Sequence, residues 1–201
     1  MSRTALRVIR EEHRALASML RSLELLVEQL HRHRTPPDFG LIRAMLFYID
    51  EFPERLHHPK ESQLLFPLLR ARCAEIVEVL DRLDADHDKG EQAVRELQHA
   101  LLGYEMMGES RREAFEQALH RYVEAYLEHM SIEEDVVLPM AQRVLTPEEW
   151  QRLDAAFEAN RDPLAGHEPD AAYHAVFQKI LNRAPAPIGL GSETGRLQPQ
   201  R

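Results

Sequence analysis

The sequence predicts an all-α protein, an antiparallel up-down four-helix bundle followed by two short C-terminal helices and a coil tail. Only 8 glycines occur among 201 residues, and runs of β-branched residues are absent. Apolar residues recur at intervals of three and four over long stretches, which is the period of an amphipathic helix. With 44% hydrophobic residues, the chain can bury the core of one domain of ordinary size.

The four long helices are bounded by residues that a helix does not tolerate. The first stops at Thr35-Pro36-Pro37, because a proline pair cannot continue a helix. Pro53 and Pro59 inside the second helix predict a kink or a local break near 53–59. The expected ranges are roughly 2–34, 38–72, 74–107 and 110–145.

A different organisation is predicted after residue 145. Thr146, Pro147 and Glu149 form the pattern of an N-cap, a proline at the first helical position and a glutamate at the third. This pattern opens a short helix that ends near residue 160, and another follows near 170–183. The sequence therefore predicts a bundle over 1–145, short helices packed on it over 146–184, and a coil or disordered tail over 185–201.

Charge and composition exclude several classes of function. The net charge is −9, and no stretch interleaves Lys or Arg with aromatic residues as nucleic-acid binding requires. No segment approaches the roughly 18 apolar residues needed to span a bilayer. Cys73 is the single cysteine, so neither a disulfide framework nor a thiolate metal site is expected. We expect a cytoplasmic protein without nucleic-acid or membrane partners.

Histidines interrupt the apolar seams of the predicted bundle. His13 is the polar member of the seam in the first helix, and His87 has that position in the third. In the fourth helix, His129 and Glu133 lie one turn apart on the buried face. A glutamate is rarely fully buried unless it is paired, and a metal ion would neutralise Glu133 while also using His129.

An internal repeat identifies the corresponding pair in the second helix. Periodicity alone fits His57 and His58 equally well. However, His57-HPK-Glu61-SQLLF-Pro67 aligns without gaps with the segment that begins at His129 and ends at Pro139. His57 is therefore assigned as the counterpart of His129, and His58 is placed beside the site as an outer residue or a further candidate ligand.

The repeat implies two helical hairpins that bring four imidazoles and two carboxylates into one section of the core. Six ligands are too many for one tetrahedral structural zinc. Two ions that share the glutamates satisfy all six, and mixed imidazole and carboxylate ligation suits iron, manganese or zinc. The predicted metal ligands are His13, His57, Glu61, His87, His129 and Glu133.

This series of residues, which extends over about 5–145, resembles the hemerythrin-like, or HHE cation-binding, family in its bacterial single-domain form. The resemblance implies a four-helix bundle around a non-haem di-iron site. It also implies that two carboxylates and a solvent or oxo bridge join the two iron ions, for which the ligand chemistry alone would equally allow manganese or zinc.

The chain departs from the oxygen-carrying hemerythrins at two positions. Their third helix has His-x-x-x-His, whereas this chain has His87 followed by Glu91. Glu91 is a seventh ligand by spacing, although a solvated flanking residue is the preferred interpretation. Glu134 matches the spacing of the carriers' aspartate, but Glu133 lies in the seam and in the repeat and is preferred.

Several functions remain open from the sequence. The loss of one imidazole favours sensing or redox turnover over reversible carriage of O₂. The first hypothesis is a protein that binds or senses O₂, peroxide or nitric oxide, and the second is an enzyme that removes peroxide or nitric oxide. Metal storage and a structural metal module are further alternatives. Gly90 provides either space for a small ligand or close helix packing, and the oligomeric state is a monomer or a homodimer.

Overall fold

The computed structural model describes residues 3–33 and 36–191. Residues 1, 2, 34 and 35, which belong to the ends of the expected first helix and the turn after it, lie outside the described residues. The same holds for 192–201, which form most of the expected tail. Most of the described chain is helical and contains no strand, so the prediction of an all-α protein is confirmed.

Four long helical stretches are followed by two short helices. The first stretch is one continuous helix, and the second and fourth change locally from α-helical to π-helical geometry. The α-helices are α1 Thr4–His33, α2 Phe39–Ile49, α3 His58–Lys60, α4 Phe66–Arg70, α5 Val77–Met107, α6 Arg112–Ile132, α7 Leu138–Val144, α8 Pro147–Glu158 and α9 His174–Arg183. The π-helical segments are Asp50–His57, Glu61–Leu65 and Glu133–Val137.

The prolines in the second stretch widen the helix and do not break it. The segment Asp50–His57 is π-helical, and the backbone N–H of His58 donates to the carbonyl of Pro53, five residues earlier. Because proline has no N–H to donate, the α-helical hydrogen-bond ladder cannot continue unchanged past it. A wider turn with one extra residue keeps the chain helical across 53–59.

The internal repeat folds in the same way twice. Glu61 begins one π-helical segment and Glu133 begins another, and each segment ends just before an apolar residue and a proline. The N–H of Phe66 donates to the carbonyl of Glu61, and that of Leu138 donates to the carbonyl of Glu133. Such single π turns occur often at functional sites, and here both begin at a predicted ligand.

The core consists of two apolar clusters with a polar layer between them. Along α1, Ile9 belongs to the smaller cluster and Leu16 to the larger one, and His13 lies between them. The third stretch has the same order around His87. Polar groups buried between apolar clusters cost free energy unless they are paired. The side chains of this layer therefore need hydrogen-bonding or charged partners.

The C-terminal helices pack against this core. Helix α8 lies on α1, and α9 lies on α2. Thr146 and Glu149 form the predicted capping box, in which the side chain of each accepts from the backbone N–H of the other. The backbone N–H of Ala5 donates to Oδ1 of Asp154 at 2.7 Å. The start of α1 is thus attached to α8.

Helix α9 begins at His174, after a turn in which the N–H of Tyr173 donates to the carbonyl of Asp170. The expected start near residue 170 is therefore a turn. The coil after α9 is docked as far as residue 191, because the N–H of Ile188 donates to the hydroxyl of Ser22 at 3.1 Å and that of Gly191 donates to the carbonyl of Ala184 at 2.9 Å. Within the described ranges, no helix combines the length and apolar character needed to cross a membrane.

Candidate metal centre

The six residues predicted as metal ligands meet in the polar layer, and all six are buried. They come from all four long helical stretches. The π turns begin at the two glutamates, and the i, i+4 spacing places His57 beside Glu61 and His129 beside Glu133. The structure therefore brings together the complete set that the seams and the repeat predict.

One group of ligand atoms lies between the first and second stretches. His13, His57 and Glu61 each offer an atom within 4.8 Å of the others. The Nε2 atom of His57 lies 3.2 Å from Oε1 of Glu61. The Nε2 atom of His13 lies 3.3 Å from Oε2 of Glu133, so that glutamate also faces this group.

A second group contains Glu61, His87, His129 and Glu133, whose ligand atoms also lie within 4.8 Å of one another. The Nε2 atoms of His87 and His129 are 3.0 Å apart. Two nitrogens at right angles, each about 2.0–2.1 Å from one ion, would be separated by about 3 Å. Glu61 belongs to both groups, which is the arrangement expected of a shared carboxylate.

His58, which the sequence left as an outer residue or a further candidate ligand, lies at the centre. Its ring stacks on that of His87 with the centroids 4.1 Å apart, and it forms a third group of ligand atoms with His87 and His129. Burial, together with the positive charges of His87 and His57, holds the pKa of His58 well below its usual value. A neutral imidazole is the form that binds a metal.

Oxygen atoms orient most of these imidazoles from outside. In metal sites the second ring nitrogen of a histidine ligand is usually hydrogen-bonded, which fixes the ring and its tautomer. Here the Nδ1 atoms carry those contacts, and this leaves the Nε2 atoms for the centre. The pairs are His13 with Glu134 at 3.1 Å, His57 with Glu12 at 2.6 Å, His58 with Glu54 at 3.1 Å, and His87 with Ser62 at 2.8 Å.

The two other carboxylates considered from sequence lie outside the groups of ligand atoms. Glu134 is partly exposed and contacts Nδ1 of His13, so it acts on the centre through that histidine. Glu91 is half exposed and pairs with Arg95 at 3.1 Å. The spacing that made Glu91 a seventh ligand does not bring it to the centre, because its side chain lies on the solvent side of α5.

Sequence reasoning missed two buried carboxylates, Glu12 and Glu54. Glu12 directly precedes His13, and Glu54 lies one turn before His58, so the signal was present in the spacing. Glu54 also accepts hydrogen bonds from the hydroxyls of Tyr122 and Tyr126. Neither carboxylate occupies a position in the apolar seam of its helix. Each can be recognised as part of the centre only from the histidine that it contacts.

The surroundings of Gly90 bear on whether this glycine provides space for a small ligand or allows close packing. A Cβ atom at this position would lie 2.8 Å from Oε2 of Glu54 and 3.1 Å from Oη of Tyr126. The absence of a side chain at Gly90 therefore leaves room for the carboxylate of Glu54, which favours close packing, and Gly90 also forms part of the wall of a cleft. The cleft has a volume of about 290 Å³ and is lined by His58, His87 and both tyrosines, among others.

Several carboxylate oxygens at the centre have no hydrogen-bond donor. Both oxygens of Glu61 and Oε1 of Glu133 make no hydrogen bond within the described residues, although both side chains are almost fully buried. Nε2 of His57 has no hydrogen bond either; it lies near Glu61, but not in hydrogen-bonding geometry. Since a buried charge without a partner is costly, a cation is the group that this layer fits.

Proton binding partly replaces that cation when no metal is bound. Burial opposes protonation of His13, but hydrogen bonds to Glu133 and Glu134 outweigh it and raise its pKa to about 9. Burial likewise opposes ionisation of Glu133, but the charge of His129 holds the pKa of Glu133 well below its usual value. At neutral pH the centre therefore holds ionised glutamate beside protonated histidine, and a metal ion must displace those protons.

Helical architecture and a buried His/Glu cluster together define a protein built to hold metal cations. The family model for the hemerythrin HHE cation-binding domain matches residues 4–141, which is more than half of the chain. The chain belongs to the hemerythrin HHE cation-binding domain family, and the resemblance inferred from the motifs is confirmed. A search of curated proteins finds no match.

Proposed function

We propose that this protein holds two metal ions, with iron as the native metal, and that the pair binds or senses a small oxidant such as O₂, peroxide or nitric oxide. The observation that carries the proposal is that Glu61 belongs to two separate groups of ligand atoms while both of its oxygens lack hydrogen bonds. A carboxylate shared by two ions accounts for both facts.

The ligands divide unequally between the two ions. His13 and His57 would hold the first ion, and His87 and His129, joined by His58, would hold the second. Glu61 and Glu133 would bridge the two ions, together with a solvent-derived oxygen. Such a pair supplies redox chemistry and a position for a small ligand, and the ion with fewer imidazoles is the one with room for that ligand.

The metal-binding unit is proposed to be an antiparallel four-helix bundle over 1–145, with 146–184 as helices that cover it. Its helices are α1, the stretch 39–70, α5 and the stretch 112–144. Mixed imidazole and carboxylate ligation suits iron, manganese and zinc, so the family resemblance is the reason for choosing iron.

An enzyme that removes peroxide or nitric oxide is the second candidate. The cleft between α5 and α6 reaches His58, His87 and His129 from the surface, so small molecules have a route to the centre and away from it. Loss of peroxide far beyond one equivalent per metal pair would favour the enzyme over a binding protein.

The proposal is tested by metal content and the ultraviolet-visible spectrum of protein purified from iron-supplemented cells. We expect about two irons per chain and the near-ultraviolet absorption of an oxo-bridged pair. His87→Ala should lose iron, whereas His99→Ala, an exposed histidine of the same helix, should not. One metal or fewer after reconstitution of the wild type would show that the two-metal proposal is wrong.

A further inference from the structure

Two tyrosines of α6 form a row of aromatic rings that leads away from the metal centre. The ring of Tyr126 stacks on that of His58 with the centroids 5.7 Å apart, and it lies 6.2 Å from that of His129. The ring of Tyr122, one turn earlier in α6, lies 4.8 Å from that of Tyr126. Separations of about 4.5–7 Å are those of interacting aromatic rings. The row therefore connects two proposed ligands of the second ion with a phenol one turn further away.

Both phenols also border the cleft between α5 and α6. Tyr122 and Tyr126 line this cleft, which measures about 290 Å³. The two tyrosines are otherwise buried, with exposed fractions of 5% and 7%. A small molecule in the cleft therefore reaches the phenols without passing through the core of the bundle.

One carboxylate oxygen joins the two phenols. Oε1 of Glu54 accepts hydrogen bonds from the hydroxyl of Tyr122, at 3.2 Å, and from that of Tyr126. The other oxygen, Oε2, lies 3.1 Å from Nδ1 of His58. A proton released by either phenol thus has the same acceptor, and through this oxygen a proton can pass from one phenol to the other.

Both phenols carry their protons at neutral pH. Burial, together with the negative charge of Glu54, holds the pKa of Tyr122 well above its usual value. Burial likewise raises the pKa of Tyr126, with Tyr122 and Glu54 adding to the effect. A protonated phenol gives up an electron readily only if its proton leaves with it, because the cation that would otherwise form is a very strong acid. The hydrogen bonds to Glu54 provide the acceptor for that proton.

We propose that Tyr126 and Tyr122 form an electron-transfer path from the cleft to the metal pair, with Glu54 as their shared proton acceptor. Tyr126 gives one electron to the pair that hydrogen peroxide has oxidised, and its hydroxyl proton passes to Glu54. The products are a neutral tyrosyl radical and a neutral carboxyl group. Tyr122 then gives one electron to Tyr126, and a proton moves in the same direction through Oε1 of Glu54. The radical is then on Tyr122, beside the cleft.

A one-electron donor of the enediol class, such as ascorbate, restores Tyr122 from the cleft with one electron and one proton. After two such transfers, two donors have each lost one electron and one proton. One hydrogen peroxide takes up the two electrons and two protons and gives two water molecules. The inference rests on the proposed metal centre and deepens its enzyme alternative to a peroxidase. A catalase, by contrast, uses a second peroxide as the donor and needs no tyrosine path.

Electron paramagnetic resonance of rapidly frozen samples tests the path. Iron-loaded wild-type protein is mixed with hydrogen peroxide and frozen at times from milliseconds to seconds. We expect a tyrosyl radical signal that narrows when the protein is labelled with ring-deuterated tyrosine. The absence of such a signal at all of these times would overturn the inference.

Conservative variants assign the signal to positions. Tyr126→Phe should abolish the radical and keep the wild-type iron content, because phenylalanine keeps the ring that packs on His58. Tyr122→Phe should keep the radical but slow its reduction by added ascorbate about tenfold or more. Tyr104→Phe, a buried tyrosine of α5 whose hydroxyl contacts Glu109, is the matched control and should change neither. An unchanged radical in Tyr126→Phe, or an unchanged rate with ascorbate in Tyr122→Phe, would show that the proposed path is wrong.

The two proposals fail in distinguishable ways. If the wild type does not retain two irons, the two-metal centre itself is wrong. If it retains two irons and its near-ultraviolet absorption responds to peroxide while no tyrosyl radical forms, only the electron-transfer path is wrong. The isotope measurement uses the wild-type chain, so it decides the question even if Tyr126→Phe does not fold.

Discussion

The ring of His58 lies face to face with that of His87, with centroids 4.1 Å apart and planes inclined by 13°. The two histidines come from different helical stretches, and both belong to a group of ligand atoms with His129. This stacking places a fifth imidazole at a centre for which the helix seams predicted four. The contribution of His58 to metal binding can be measured by removing its imidazole.

His58→Ala should reduce bound iron from about two per chain toward one, because the second ion loses one of three proposed imidazoles. Metal analysis after dialysis against a weak chelator measures the effect. His120→Ala, an exposed histidine of α6, should keep the wild-type content. Two tightly held irons in His58→Ala would show that His58 only packs beside the centre.

Glu61→Gln should weaken binding of both ions, since the proposal gives this carboxylate to both. The neutral amide keeps the size of the side chain and removes the charge that offsets the cations. Metal content and thermal unfolding with and without iron measure the change, and iron should stabilise the variant far less than the wild type. Glu91→Gln, the exposed carboxylate paired with Arg95, is the control. Loss of only one ion would argue against a bridging role.

Gly90→Ala and Gly103→Ala should change stability in opposite directions, although both glycines lie in α5. A Cβ at Gly90 meets the buried carboxylate of Glu54 at 2.8 Å, whereas at Gly103 nothing lies within 4 Å. We expect a loss of about 1–3 kcal/mol at Gly90 from overpacking and a gain of about 0.5–1 kcal/mol at Gly103 from helix propensity. Urea unfolding of the metal-free proteins measures both. A neutral Gly90→Ala would mean that Glu54 moves freely.

The metal-free protein should lose stability as the pH rises from about 6.5 to about 9. The pKa of His13 is raised to about 9 in the folded protein from 6.5, so the folded state binds its proton more tightly than the unfolded state. The resulting stabilisation, on the order of 3 kcal/mol, is complete below pH 6.5 and disappears as the pH rises through 9. Urea midpoints across this range measure it.

Two controls accompany the pH series. His13→Gln should flatten the profile, because it removes the group that titrates. The iron-loaded protein should also show a smaller decline, since the metal replaces the proton on His13. A decline of the same size in His13→Gln would assign the pH dependence to other groups.

Much of the centre was predictable because helix periodicity converts spacing into a shared face. His13 and His87 interrupt apolar seams, and the repeat assigns His57 and Glu61 by their match to His129 and Glu133. The direction of a side chain in a regular helix follows from its position in the sequence. These six residues could therefore be chosen as candidate ligands from the sequence alone. Their meeting in one buried layer depends on the packing of the helices, which the seams also predict.

Other features depend on departures from regular helix geometry. The π-helical segment Asp50–His57 changes which residues share a face, so ideal spacing could not show that both His57 and His58 reach the centre. Glu54 lies four residues before His58 and contacts it by that spacing, but the room for its buried carboxylate is left by Gly90 in another helix. Glu91 shows that spacing alone is not enough, because it has the spacing of a ligand and yet lies half exposed beside Arg95, as the preferred interpretation from the sequence expected.

By itself, the sequence determined the all-α class, the family, the repeat and the six buried residues, since these follow from local periodicity and composition. Only the tertiary structure decided the place of His58 and the contacts of Glu12 with His57 and Asn160. Asn160 is separated from Glu12 by most of the chain, and their 3.0 Å contact exists because α8 packs on α1. Spacing along one helix carries no information about such a contact.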